Sequence, residues 1–120
     1  MKQEKIKVFF GKNNFSIQVE KCGAFEKFRG LMLRKSKNSP NLLFEFKKSV
    51  HLAIHSWFVF FPFLAIWTDD KNKIKEFKLV KPFQKYIKPE HSFFKLIEIP
   101  FVRRNKDIFF LLDDRIKTFK

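Results

Sequence analysis

This 120-residue chain has a single cysteine and only three glycines, and each shortage closes off a class of protein. A lone thiol, Cys22, forms no internal disulfide, and no C-x-x-C pair suggests zinc, so a reducing compartment, by default the cytoplasm, is expected. Three glycines leave little room for a phosphate-cradling loop: the chain has no P-loop, no Rossmann glycine pattern and no G-x-S-x-G elbow. Long hydrophobic runs are also missing. A membrane-crossing helix needs about 20 predominantly apolar residues, and the most apolar stretch, Val50 to Trp67, is interrupted by His51, His55, Ser56 and Pro62. Val8-Phe9-Phe10 is far shorter than the roughly 7–15 apolar residues of a secretory signal. Acidic residues are scarce as well, 12 against 26 Lys and Arg, leaving a formal charge of +14.

What is abundant is phenylalanine, 19 of it, within 45% hydrophobic residues. That is enough for one core and one globular domain over residues 1–120. The charge has two readings that composition does not separate. It suits nucleic acid or another polyanion, or it follows from a preference for residues with A/T-rich codons.

Alternation organises the first twenty residues. Ile6, Val8 and Phe10 alternate with Lys5 and Lys7, and Phe15, Ile17 and Val19 alternate with Ser16, Gln18 and Glu20, which predicts a hairpin with one buried face. Gly11 to Asn14 reads as its four-residue loop. Phe25, Phe28 and Met32 then fall at helical spacing, predicting a short helix over 24–33. Beyond the polar loop 35–40, alternation from Leu42 to Lys47 predicts a third strand. The run from His51 to Thr68 predicts two buried strands, 51–59 and 63–68, with Pro62 between or at the start of the second. Strands over 73–80 and 93–99 follow, then one helical turn over 102–106 and a closing strand supplied by Ile108 to Leu112 and Ile116 around an Asp113-Asp114 turn. The expected class is α+β: a small β-rich domain with a barrel-like mixed or antiparallel sheet and one or two short helices. The expected core includes Ile17, Val19, Phe28, Met32, Phe44, Phe46, Val59, Leu64 and Ile66.

Arg29-Gly30-Leu31-Met32-Leu33-Arg34, followed by Leu42 to Phe46, the Phe58 to Pro62 run and Glu98-Ile99-Pro100, resembles the uncharacterised family called domain of unknown function 192, or uncharacterised protein family 0127. The resemblance spans about residues 5–119. It implies a small β-rich domain with a barrel-like sheet, found in archaea and bacteria, with no established activity. His55 to Val59 and Leu64 replace polar residues common in that family.

No catalytic set emerges. His51 and His55 share a face of a strand but stand roughly 13 Å apart on one, too far to hold one ion, so neither a metal nor a cofactor is expected. Asp69-Asp70 and Asp113-Asp114 read as turn residues. A non-catalytic binding or accessory domain with a basic surface is therefore the first reading. Low-specificity RNA or DNA binding is the second. It rests on the two places where aromatic and basic residues interleave in loops, Phe83 to Lys88 and Phe101 to Lys106, through Lys85, Lys88, Arg103, Arg104 and Lys106. A small-ligand or enzymatic pocket around Arg29, Arg34 and His55 is the third.

Overall fold

The structure is a computed structural model that describes residues 2–22, 39–56 and 59–112. Strands β1 (Lys2–Phe10) and β2 (Asn13–Lys21) form the expected hairpin, paired antiparallel from Lys2↔Lys21 to Phe10↔Asn13. The loop is shorter than the four residues expected. It is the two residues Gly11 and Lys12, because Gly11 takes a φ of +61°, a turn conformation that glycine adopts without steric cost.

Four more strands follow: β3 (Leu42–Val50), β4 (Phe63–Thr68), β5 (Ile74–Val80) and β6 (Phe93–Pro100). The sheet order is β1-β2-β3-β6-β4-β5. Among the described residues the neighbouring strands of that order pair antiparallel except β2 with β3, which run parallel for two registered pairs, Glu20↔Leu42 and Lys21↔Leu43. The sheet curls into a half-barrel, and β1 meets the turn before β5 where Phe9 bridges Lys73 in parallel. Ile6, Val8, Ile17, Val19, Leu43, Leu64, Ile66, Ile97 and Ile99 fill the concave side. The convex side of β3, β6 and β4 carries a second core of Leu42, Phe44, Phe63, Ala65, Trp67 and Leu96, roofed by Val59, Phe61 and Ile87 from two long connections. Burial on both faces explains the unbroken apolar run of β4.

Two expected strands are not formed. Residues 51–56 and 59 contain a single bridge, at Ile54, and its partner is Ile87 in the opposite connection rather than a strand of the sheet. Ser56 gives its N–H and C=O to Gln84 and Phe83, so the backbone groups a ladder would use are already taken. The expected closing strand at 108–112 is instead helix α1 (Lys106–Leu111), entered through the 3-10 turn Arg103–Asn105. Ile108, Phe109 and Leu112 are buried while Phe110 and Leu111 are exposed, a helical spacing that a run of five apolar residues does not reveal.

Of the expected core, Ile17, Val19, Phe44, Val59, Leu64 and Ile66 are buried. Phe46 is half-buried at the rim of the convex core, because β3 loses its regular register with β6 between Glu45 and Val50. The expected helix 24–33, with Phe28, Met32, Arg29 and Arg34, lies outside the described residues, as do Asp113, Asp114 and Ile116. Among the described residues no helix is long and apolar enough to cross a membrane.

Candidate functional site

Residues 81–84 are tied down by one buried hydroxyl. Ser56 Oγ donates to the carbonyl of Lys81 at 2.7 Å and accepts the amide of Gln84 at 2.6 Å. The amide of Phe83 donates to the carbonyl of Ser56 at 2.9 Å, and Gln84 Oε1 accepts the amide of Lys81 at 2.9 Å. Two residues on, Ile54 and Ile87 exchange both backbone bonds at 2.8 Å. Ile87 enters the convex core, so the residues on either side of it, Tyr86 and Lys88, face solvent.

The clamp has a conformational consequence. Phe83 is held at φ +61°, in the left-handed region where a bulky side chain is an outlier that only surrounding structure maintains. Its ring is 46% exposed and meets Phe60, itself 59% exposed, edge to face at 5.6 Å. Tyr86 is 68% exposed, and Lys81, Lys85 and Lys88 are exposed beside it in sequence.

The second aromatic-basic loop leaves the sheet at the same end. Val80, Phe63 and Pro100 stand in register across β5, β4 and β6, so the loops that follow Val80 and Pro100 start two strand spacings apart, about 10 Å. The amide of Phe101 donates to the carbonyl of Pro62 at 3.0 Å, and its ring packs on Phe109 at 5.3 Å. Asn105, buried, donates from Nδ2 to the carbonyl of Pro100 at 2.8 Å, which leaves Arg103, Arg104 and Lys106 exposed. One end of the sheet thus gathers Phe60, Phe83, Phe101, Lys81 and Arg103. Lys85 and Lys88 continue from it along the roof of the convex core.

Of the three residues expected to form a small-ligand pocket, His55 is exposed next to the Ser56 clamp, while Arg29 and Arg34 lie outside the described residues. His51 Nε2 bonds the carbonyl of Pro89 at 2.7 Å. Among the described residues no three of His, Cys, Asp and Glu are grouped to hold an ion. Lys81 and Phe60 were not among the residues singled out from sequence. Phe60 sits inside an apolar run that reads as core, yet it is exposed just before β4 begins.

Two carboxylates have opposite environments. Glu45 pairs with Lys21 at 2.6 Å and Lys95 at 3.3 Å, and the hydrogen bond from Lys21 leads in holding its carboxyl below the ordinary range. Glu98 is buried on the convex face between Leu42 and Ala65, and burial pushes its carboxyl up to about 8.

No protein-family model matches the chain, and no curated protein matches it. Two solved structures share its fold. A protein of Sinorhizobium meliloti described as a "putative transcription regulator" matches with a TM-score of 0.72 at 15% identity, over 88% of this chain and 85% of that one. A protein of unknown function from Novosphingobium aromaticivorans matches with a TM-score of 0.68 at 13% identity, over 82% and 73%.

Proposed function

We propose that this chain is a non-catalytic binding domain that holds single-stranded nucleic acid at the aromatic-basic end of its sheet. The observation that carries this reading is the exposed Phe60–Phe83 pair, with Phe83 kept in a left-handed conformation by the Ser56 clamp and lysines on both sides of it in sequence. Exposed rings give bases a stacking surface whatever their sequence, and nearby cations follow the phosphate backbone. Lys81, Lys85, Lys88 and Arg103 fill that second role, with Arg104 and Lys106 further along the loop. The description of the Sinorhizobium meliloti protein concerns that protein; regulation of transcription is compatible with nucleic-acid binding here. Membership of domain of unknown function 192 is part of the same proposal, supported by the barrel-like sheet that the resemblance implies.

Fluorescence anisotropy with single-stranded RNA and DNA oligonucleotides over a salt series tests it. Neutralising three or four phosphates gives a log-log slope of about −2 to −3, at roughly −0.7 per phosphate for single strands. Replacing both Phe60 and Phe83 by alanine is expected to weaken binding by about tenfold or more, since each stacked base contributes roughly 1–3 kcal/mol. Absence of binding, or binding indifferent to salt and to both rings, removes the reading.

A further inference from the structure

The geometry points to a second binding surface, the outer edge of β2, which takes an extended peptide strand with apolar residues at every second position. Every second residue of β2 turns its N–H and C=O away from β1. Near the end of the strand these groups are used: Glu20 N–H donates to Asn41 at 2.8 Å and Cys22 N–H to Leu43 at 2.9 Å. One step back, the carbonyl of Gln18 accepts Asn41 Nδ2 at 3.0 Å. From there the partner strand is gone, since β3 pairs with β2 only at Glu20 and Lys21. The N–H of Gln18 and both backbone groups of Ser16 face that side with no partner among the described residues.

A groove of about 580 Å³ runs along this edge, between Ser16 to Glu20 on one wall and Arg104 to Ile108 on the other. That volume lies within the roughly 300–1,000 Å³ of ligand-binding clefts. Asn41 lines the groove; it is buried, and its Oδ1 has no hydrogen-bond partner, an acceptor whose desolvation is uncompensated until a donor arrives.

The occupant follows from the chemistry of the walls. Edge groups recur every two residues, about 6.8 Å, a spacing that another extended backbone reproduces, and adding a strand to an open edge is an established mode of peptide recognition. Successive side chains of such a strand alternate between two surroundings. One set meets Ile17, Val19 and Ile108, apolar residues that line the groove. The other set meets the rim, where Arg104 and Asp107 are both exposed, and uncharged polar side chains suit that mixed charge. Glu20 also stands at the rim, bonded by Gln3 Nε2 at 3.4 Å.

The test titrates the ¹⁵N-labelled full chain with a capped heptapeptide of alternating valine and serine. Two comparison peptides go alongside: one N-methylated at every second residue on its pairing edge, and one with asparagine in place of valine. Shifts and slowed exchange are expected at the Ser16 and Gln18 amides. N-methylation, which leaves the protein untouched, and replacement of the valines should each weaken binding by about tenfold or more. Equal binding by the N-methylated peptide, or shifts elsewhere only, overturns the proposal. So does protection of the two edge amides in the free protein that rises with its concentration, since a second copy would then be the occupant.

Discussion

The amide of Phe9 donates to the carbonyl of Asn72 at 2.9 Å, and this bond joins the first strand to the turn between β4 and β5. Asn72 is built to keep it. Its Nδ2 donates to the carbonyl of Lys7 at 3.0 Å, its Oδ1 accepts Lys95 Nζ at 2.6 Å, and its backbone sits at φ +67°. Asparagine tolerates that conformation better than most residues, and Asp69 Oδ1 holds the turn by accepting the amides of Lys71 and Lys73 at 2.9 Å each.

Asn72→Ala removes both side-chain bonds and keeps the unfavourable φ. We expect a loss of about 1–3 kcal/mol in unfolding free energy by urea titration, with faster hydrogen exchange at Phe9. A change below about 0.5 kcal/mol, the usual range for surface substitutions, would mean that the half-barrel does not depend on this closure.

Glu98 makes stability depend on pH in the direction opposite to Glu45. Its folded carboxyl titrates at about 8 against an ordinary 4.5, so between those values the folded chain keeps a proton that the unfolded chain has released. Stability is therefore fully present below pH 4.5, falls as pH rises through the window, and levels off above 8, a difference of roughly 5 kcal/mol at 1.36 kcal/mol per unit. Glu45, whose carboxyl is lowered, contributes stability above pH 4.5 that is lost on acidification. Glu98→Gln, neutral at every pH and similar in size, should match the parent near pH 4 and exceed it near pH 9. Parallel pH profiles for the two proteins would show that Glu98 is not held neutral in the fold.

The readable part of the fold was the part with a strict period. β1, β2, β4, β5 and β6 follow alternation or continuous burial, and turn chemistry at Gly11 and Asp69 separates them. The misread parts share one property: their backbone bonds or apolar faces go to partners far away in sequence. Ile54 and Ser56 pair with Ile87 and Gln84, which no local pattern announces, and Ile108 to Leu112 is too short for alternation and helical spacing to differ. The candidate site was half readable for the same reason. Interleaved aromatic and basic residues marked Phe83 to Lys88 and Phe101 to Lys106, but the register of Val80, Phe63 and Pro100 is what makes them neighbours.

Ser56→Ala tests whether the clamp acts as described. Losing the hydroxyl leaves the amide of Gln84 and the carbonyl of Lys81 without that partner in a partly buried place, at a cost of about 1 kcal/mol. Exchange of the Phe83 and Gln84 amides should accelerate more than that of β4 or β6 amides, because the turn opens before the sheet does. Uniform acceleration across the sheet would place Ser56 in the global core instead.

Phe83→Gly separates folding from binding. In the left-handed region a residue with a Cβ is strained by roughly 1–2 kcal/mol, and glycine is not. Against that relief stands the edge-to-face contact with Phe60, at roughly 0.5–1.5 kcal/mol, together with the greater entropy glycine loses on folding. These terms nearly cancel, so unfolding free energy is expected to change by less than about 1 kcal/mol in either direction. Binding of single-stranded oligonucleotides should nevertheless fall about tenfold, since a stacking surface is gone. If strain at Phe83 is retained for the sake of an exposed ring, the variant keeps its stability and loses its ligand. A large drop in stability with unchanged binding would make Phe83 a structural residue and remove the reason for placing the nucleic-acid surface at this end of the sheet.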